Sequence, residues 1–126
     1  VPAWINRQYG ITGLLYWSTV TAVMEPWSNP AFAHPAHFNG GGFLFYPGVP
    51  CGIDGPVACM RLKNLRDGME DYEYFALLDR LGGGKAVARA VDRIAPSWWD
   101  YCRDPRKLFA ARRELAEAII KAQGRR

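Results

Sequence analysis

The sequence predicts an α/β fold in which two short strands, joined by a long loop, are followed by three helices. Two apolar runs, at residues 12–17 and 43–46, carry the strand prediction. Glycine precedes both runs, and both are apolar at successive positions, which is typical of strands covered on both faces in a parallel sheet. From about residue 59 onward the chain is charged and apolar residues recur with helical spacing.

The helix boundaries are predicted from residues that terminate or cap helices. Residues 4–9 predict the end of a helix, because Gly10 can terminate it in a left-handed conformation. A helix is expected over 60–81, with this inward stripe: Leu62, Leu65, Met69, Tyr72 and Ala76. Glycines at 82–84 end it, and a short helix over 85–94 follows. Asp104 as N-cap and Pro105 in the first turn predict a last helix to about Gln123.

The connection at 18–42 is long and has no helical period. A loop of this length in a compact domain is usually functional. Two parallel strands do not form a stable sheet alone, and apolar strand edges invite pairing. We therefore expect the remainder of a longer chain, or another copy, to cover these edges. A start at Val1 with no Met and no leader is also typical of a cut edge.

Composition excludes several classes of protein. With 126 residues and 49% hydrophobic residues, the chain is at most one domain with a real core and is not a disordered tail. The longest apolar runs are too short to span a membrane. Three cysteines without CxxC spacing predict neither a disulfide framework nor a zinc site. The basic last quarter could bind nucleic acid, but Glu114 and Glu117 interrupt it, so a solvated helix face is favoured.

Four stretches occur in an order typical of a known family: Gly13-Leu14-Leu15-Tyr16-Trp17-Ser18, Glu25-Pro26-Trp27, Asn39-Gly40-Gly41-Gly42-Phe43-Leu44-Phe45-Tyr46-Pro47-Gly48 and Arg61-Leu62-Lys63-Asn64-Leu65-Arg66-Asp67-Gly68-Met69-Glu70-Asp71-Tyr72-Glu73-Tyr74. This series resembles the C-terminal region of glycoside hydrolase family 123, also catalogued as a domain of unknown function. The resemblance covers residues 10–80 or so and is most specific in the last stretch.

The resemblance implies a (β/α)8-barrel enzyme that removes β-linked N-acetylgalactosamine, with the substrate's acetamido group as nucleophile and an Asp-Glu pair assisting. Residues 12–17 and 43–46 would be the last two barrel strands, and 60–81 the last barrel helix. The loops that follow the strands would then lie at the face where barrel active sites are found. The chain would thus be the C-terminal part of a (β/α)8 barrel followed by three helices.

The sequence departs from the family in two places. It contains no Asp-Glu dipeptide, so we expect no catalytic residue in this chain and no activity from it alone. The family often has Gly-Asp-Gly where this chain has glycine at 40–42, which removes a polar contact. No cofactor is expected. His34 and His37 lack a carboxylate or thiol partner for a metal site, Glu25 being the nearest carboxylate.

Four residues are candidates for contacting a carbohydrate ligand: Trp17, Trp27, Asn39 and Tyr46. Aromatic rings at strand ends and in the loop can stack on a pyranose, although core packing for Trp17 and a backbone hydrogen bond for Tyr46 are equally open. A second cluster is interpreted as structural ion pairs: Arg61, Arg66, Asp67, Glu70, Asp71 and Glu73. Arg66 precedes Glu70 by four residues on a helix, which favours an ion pair over paired catalytic carboxylates.

Two functions remain open at this point. One is part of a glycoside hydrolase acting on β-linked N-acetylhexosamine glycans. The alternative is a non-catalytic module for carbohydrate binding or assembly.

Overall fold

A computed structural model describes residues 1–20, 26–28 and 41–124. Helices dominate it, and the described strands form one small sheet. The elements are α1 (Pro2–Gln8), β1 (Phe45–Pro47), a 3-10 turn (Val49–Cys51), β2 (Pro56–Ala58), α2 (Met60–Arg80), α3 (Gly84–Ile94) and α4 (Pro105–Gln123).

The chain divides into two compact units. A helical unit contains residues 1–13 and 66–126, and a hairpin unit contains residues 14–65. Helix α1 belongs to the same unit as the C-terminal helices. Helix α2 contributes residues to both units.

The core of the helical unit is continuous and apolar. Helix α3 packs against α1 and α4. Trp4 of α1 is fully buried and meets the ring of Phe75 edge-on, with 4.8 Å between centroids. The other large buried side chains of this core are Leu78, Val87, Val91, Ile94, Leu115 and Ile119. Each such side chain contributes about 1.5–3 kcal/mol through burial.

The hairpin unit is built on a short antiparallel ribbon. Phe45 pairs with Ala58, and Pro47 pairs with Pro56. Between the strands the chain turns at Gly48, whose carbonyl oxygen accepts hydrogen bonds from the amides of Cys51, at 2.7 Å, and Ile53, at 3.1 Å. Phe43 and Leu44, just before β1, are buried.

The strand predictions were wrong in two respects. Residues 11–16 have no regular secondary structure, and Leu14 and Leu15 are exposed. The second strand begins at Phe45 and pairs antiparallel with β2, which sequence reasoning missed. Within the described residues, no neighbouring parallel strand exists to accept these apolar runs, and a buried parallel strand needs neighbours on both sides.

The helix predictions were confirmed within a residue or two. Gly10 follows α1 with φ +66°, and Gly82 follows α2 with φ +82°. The Asp104 side chain accepts a 2.9 Å hydrogen bond from the Arg106 amide, as an N-cap should. The inward face of α2 was misplaced, because Met69 is exposed.

The residues of α2 that face inward are Gly68, Asp71, Phe75 and Leu78. The three cysteines are free thiols, and Cys51 is exposed. No described helix has the length and apolar character needed to cross a membrane.

Candidate functional site

Two predicted sugar-contacting residues meet in the hairpin unit. The rings of Trp27 and Tyr46 lie 4.9 Å apart between centroids and are tilted by 60°. Trp27 Nε1 donates a 2.9 Å hydrogen bond to the carbonyl oxygen of Pro47 at the end of β1. We refer to Trp27 and Tyr46 as the aromatic pair. Trp27 keeps 45% of its surface exposed, so the pair is accessible to a ligand.

The backbone around Leu44 orders the surroundings of this pair. The Leu44 amide donates to the carbonyl oxygen of Thr19 at 2.8 Å, and the Leu44 carbonyl oxygen accepts from the Cys59 amide at 2.9 Å. The hydroxyl of Tyr16 accepts a hydrogen bond from the Gly42 amide at 3.3 Å. The ring of Phe43 lies 5.6 Å from that of Tyr46. Buried side chains and backbone hydrogen bonds therefore support Tyr46.

The aromatic pair can provide stacking but little polar chemistry. The one N–H of the Trp27 indole is already used within the protein, so its ring can pack on a sugar without donating to it. Trp17 is exposed, and no ring contact of the described residues involves it. Asn39, with His34, His37 and Glu25, lies outside the described residues.

Carboxylates are scarce around the pair. Asp54 is the sole carboxylate among residues 14–20, 26–28 and 41–65. Acid-base cleavage of a glycoside ordinarily requires two carboxyl groups flanking the bond. The described part of the hairpin unit therefore supplies no such pair. Likewise, no group of metal-binding side chains occurs among the residues whose structure is described.

A carboxylate cluster lies in the helical unit. Asp71 is 5% exposed, and its Oδ2 accepts a 2.8 Å hydrogen bond from Trp4 Nε1. Arg112 Nε lies 3.0 Å from Asp71 Oδ1. The orientation is not that of a hydrogen bond, and Oδ1 accepts none within the described structure. The attraction between Asp71 and Arg112 is therefore ionic.

Arg112 connects α4 to α2. Its Nη2 lies 2.6 Å from Glu70 Oε2, and its guanidinium lies 5.6 Å from the centroid of the Tyr74 ring. On α2 itself, Arg66 contacts Asp67 at 2.7 Å and approaches Glu70 at 3.7 Å. Because Glu70 and Arg66 are largely exposed, these surface pairs contribute at most about 1 kcal/mol each.

Burial raises the pKa of Asp71, since the charged form is poorly solvated there. The hydrogen bond from Trp4 and the charge of Arg112 lower the same pKa but do not offset desolvation. Desolvation by itself would lower the pKa of Arg112. The Glu70 hydrogen bond and the charge of Asp71 more than offset this, so the pKa of Arg112 is raised. The cluster thus contains a carboxyl group, on Asp71, whose ionisation is disfavoured by burial, next to the permanently charged guanidinium of Arg112.

The six residues predicted to form structural ion pairs differ in their exposure and in their contacts. Asp67, Glu70 and Arg66 are together at the surface, and Asp71 is buried. Arg61 and Glu73 lie at exposed positions of α2.

Sequence reasoning missed the partners Trp4 and Arg112. The sequence could have indicated Arg112 as a partner of a buried acid. Its charge lies within the apolar stripe of α4 that contains Leu108, Leu115 and Ile119.

Comparison with known families agrees with the resemblance. A family model described as the glycoside hydrolase 123 catalytic domain matches residues 1–78. Because this covers more than half of the 126 residues, the chain belongs to glycoside hydrolase family 123. The matched part includes the aromatic pair and α1, and it ends within α2. No curated protein matches the chain.

Proposed function

We propose that this chain is the C-terminal part of a glycoside hydrolase catalytic domain that acts on β-linked N-acetylhexosamine glycans, with N-acetylgalactosamine as the sugar removed. The supporting observation is the family match over residues 1–78, which ends in α2. Within the matched stretch, the aromatic pair offers the ring surface that a pyranose needs.

In this proposal the complete catalytic domain is a (β/α)8 barrel, and its other strands cover the apolar runs at 12–17 and 43–46, which form no parallel strands in the described structure. The exposure of Leu14 and Leu15 supports it, because such an apolar run is suited to burial between parallel strands. The covering strands come from the remainder of a longer chain or from another copy.

The catalytic Asp-Glu pair then also comes from outside this chain. The absence of an Asp-Glu dipeptide from the sequence supports that assignment. This chain contributes to the sugar subsite through Trp27 and Tyr46, with Trp17 and Asn39 alongside. No cofactor takes part, and the acetamido group of the substrate is the nucleophile.

Binding by Trp27 provides the direct test. Methyl β-N-acetylgalactosaminide should shift the indole N–H resonance of Trp27 and leave that of buried Trp4 unchanged. Replacing Trp27 with alanine should weaken binding about tenfold or more, because a stacking surface is lost. Phe109→Ala, which removes an exposed ring from the helical unit, is the matched control and should bind normally. Equal affinity of Trp27→Ala and the parent chain would reject the subsite.

A hydrolysis assay tests the second part of the proposal, that the catalytic pair lies outside this chain. The chain alone should release no 4-nitrophenol from 4-nitrophenyl β-N-acetylgalactosaminide. Measurable hydrolysis that persists after repeated purification would place a catalytic group within these residues and overturn the assignment.

A non-catalytic carbohydrate-binding or assembly module is the second candidate. The scarcity of carboxylates near the aromatic pair favours it, since stacking needs none. The intact mass of the natural protein discriminates between the two. A larger mass with an Asp-Glu pair upstream supports the enzyme, whereas a mass equal to that of this chain supports the module.

A further inference from the structure

Two exposed tryptophans lie in the turn between α3 and α4 of the helical unit, and an exposed tyrosine that follows α1 stacks on one of them. Trp98 is 47% exposed, Trp99 is 91% exposed, and Tyr9, at the end of α1, is 46% exposed. The rings of Tyr9 and Trp98 stack at 4.9 Å with 23° between their planes. We refer to Tyr9, Trp98 and Trp99 as the tryptophan platform.

The turn that presents the platform is well anchored. Ser97 Oγ accepts hydrogen bonds from the amides of Trp99, at 3.3 Å, and Asp100, at 3.0 Å. The Trp98 amide donates to the Tyr9 hydroxyl at 3.3 Å. On either side of the turn, the Cys102 amide donates to the carbonyl oxygen of Ile94 at 2.7 Å. These bonds fix the backbone of the turn, and stacking on Tyr9 also holds the Trp98 ring, so less conformational entropy remains to be lost when a ligand binds.

The chemistry of the platform suits a sugar. Aromatic faces carry negative charge density and attract the C–H groups on one face of a pyranose. Gln8 and Asp100, the chain neighbours of Tyr9 and Trp99, are exposed. Gln8 Nε2 donates a 3.4 Å hydrogen bond to the carbonyl oxygen of Pro96, so the Gln8 carbonyl oxygen and the Asp100 carboxylate are the acceptors these two residues offer to sugar hydroxyl groups.

Size argues against a second protein as occupant. The exposed surface of the three rings is on the order of 400 Å², about half of the roughly 800 Å² that each partner buries in a stable protein interface.

We propose that the tryptophan platform is a second carbohydrate-binding site, which holds a β-linked N-acetylhexosamine oligosaccharide on the helical unit. The ligand class rests on the proposed function, whereas the position of the site does not. Trp99 provides the main stacking surface, and Trp98, backed by Tyr9, provides the second. The platform retains a glycan chain and performs no chemistry.

The five tryptophans allow the two sites to be tested in one titration. N-acetylchitotriose, a β-linked trimer, should shift the indole N–H resonances of Trp98 and Trp99 saturably, with Trp4 as the buried internal control. Trp99→Ala should weaken this binding about tenfold or more, and Trp99→Phe should remain within about threefold of the parent, because the ring is kept. Since Trp99 is almost fully exposed, neither variant should perturb folding.

Three other outcomes would contradict the proposal that the tryptophan platform binds an oligosaccharide. Unmoved Trp98 and Trp99 signals at about 10 mM trisaccharide would exclude even millimolar binding. Unchanged affinity in Trp99→Ala would place the ligand elsewhere. Signals that move with protein concentration instead of sugar would identify a second copy as the occupant.

The two proposals fail separately. Shifts confined to Trp27 would reject the platform and keep the proposed function. Shifts confined to Trp98 and Trp99 would keep the platform and count against the aromatic pair as the sugar subsite.

Discussion

Asp71 shows how much a single residue's role depends on its surroundings. In the sequence it belongs to the acidic run at 70–73, which invites a catalytic interpretation. In the structure it is buried between Trp4 and Arg112, two residues far from it along the chain. A carboxylate in that position connects three helices. Removing its charge partner would leave an unpaired buried charge, which is strongly destabilising.

Stability should therefore depend on the ionisation of Asp71. Its pKa is raised above the ordinary 3.8, so the folded protein binds more protons than the unfolded chain between 3.8 and the folded value. Linkage then requires stability from this group to fall as pH rises through that window and to stay constant above it. Relative to the parent, Asp71→Asn should gain stability with rising pH across the window, as measured by urea unfolding.

The carboxyl carbon of Asp71 gives the direct check by NMR. It should titrate above 3.8, and Arg112→Met should move its pKa higher still, because the guanidinium charge lowers it. Titration at or below 3.8 in the parent would contradict the account.

The elements differ in how firmly local sequence determines them. Helix α4 begins at an Asp-Pro cap and α2 ends before a glycine with positive φ, and both ends were predictable. The hairpin was not, because β1 and β2 are three residues each and contain proline. Their pairing depends on the turn between them, and the tightest point of that turn is Gly48.

Gly48→Ala should destabilise the hairpin unit. A Cβ at this position would overlap the backbone carbonyl oxygens of Gly55 and Ile53, neither of which can move without opening the turn. We expect a loss of about 1–3 kcal/mol, measured as a lower urea midpoint.

The matched control is Gly13→Ala, whose added Cβ would meet no atom within 4 Å and whose φ is not positive. It should unfold within about 0.5 kcal/mol of the parent. Equal midpoints for the two variants would show that the turn tolerates the methyl group.

At the scale of the whole molecule, the chain forms two compact units, and the described hydrophobic core cluster lies in the helical unit. The helical unit unites the two ends of the chain, since Trp4 packs with side chains from α2, α3 and α4. The hairpin unit buries Phe43 and Leu44 beside its ribbon. Each unit is small, so each depends on a few large side chains.

Leu115 and Ile120 on α4 provide a matched test of the helical core. Leu115 is 2% exposed and Ile120 is 69% exposed. Leu115→Ala should cost about 2–5 kcal/mol because it leaves a cavity, whereas Ile120→Ala should cost about 0.5 kcal/mol or less. Thermal unfolding followed by circular dichroism measures both. Similar losses for the two variants would mean that α4 does not pack as described.

For the candidate site, the sequence indicated which residues could contact a sugar but not which of them lie next to each other in space. Aromatic content indicated Trp27 and Tyr46 as sugar contacts, and that role is still a prediction. Their adjacency, and the hydrogen bond from Trp27 to Pro47, required the fold, because residues 20 positions apart meet only when the ribbon forms. The platform around Trp99 depends on Tyr9, which is 90 residues away in the chain.

By itself, the sequence determined the helices, their caps, the family and the absence of an Asp-Glu pair, all of which depend on neighbouring residues or on residue identity. The tertiary structure alone decided that residues 12–17 lie outside any strand, that β1 runs antiparallel to β2, and that Asp71 is buried against Arg112. The physical reason is that strand pairing and charge burial depend on which distant residues come together. Helix caps and glycine turns are decided within a few residues.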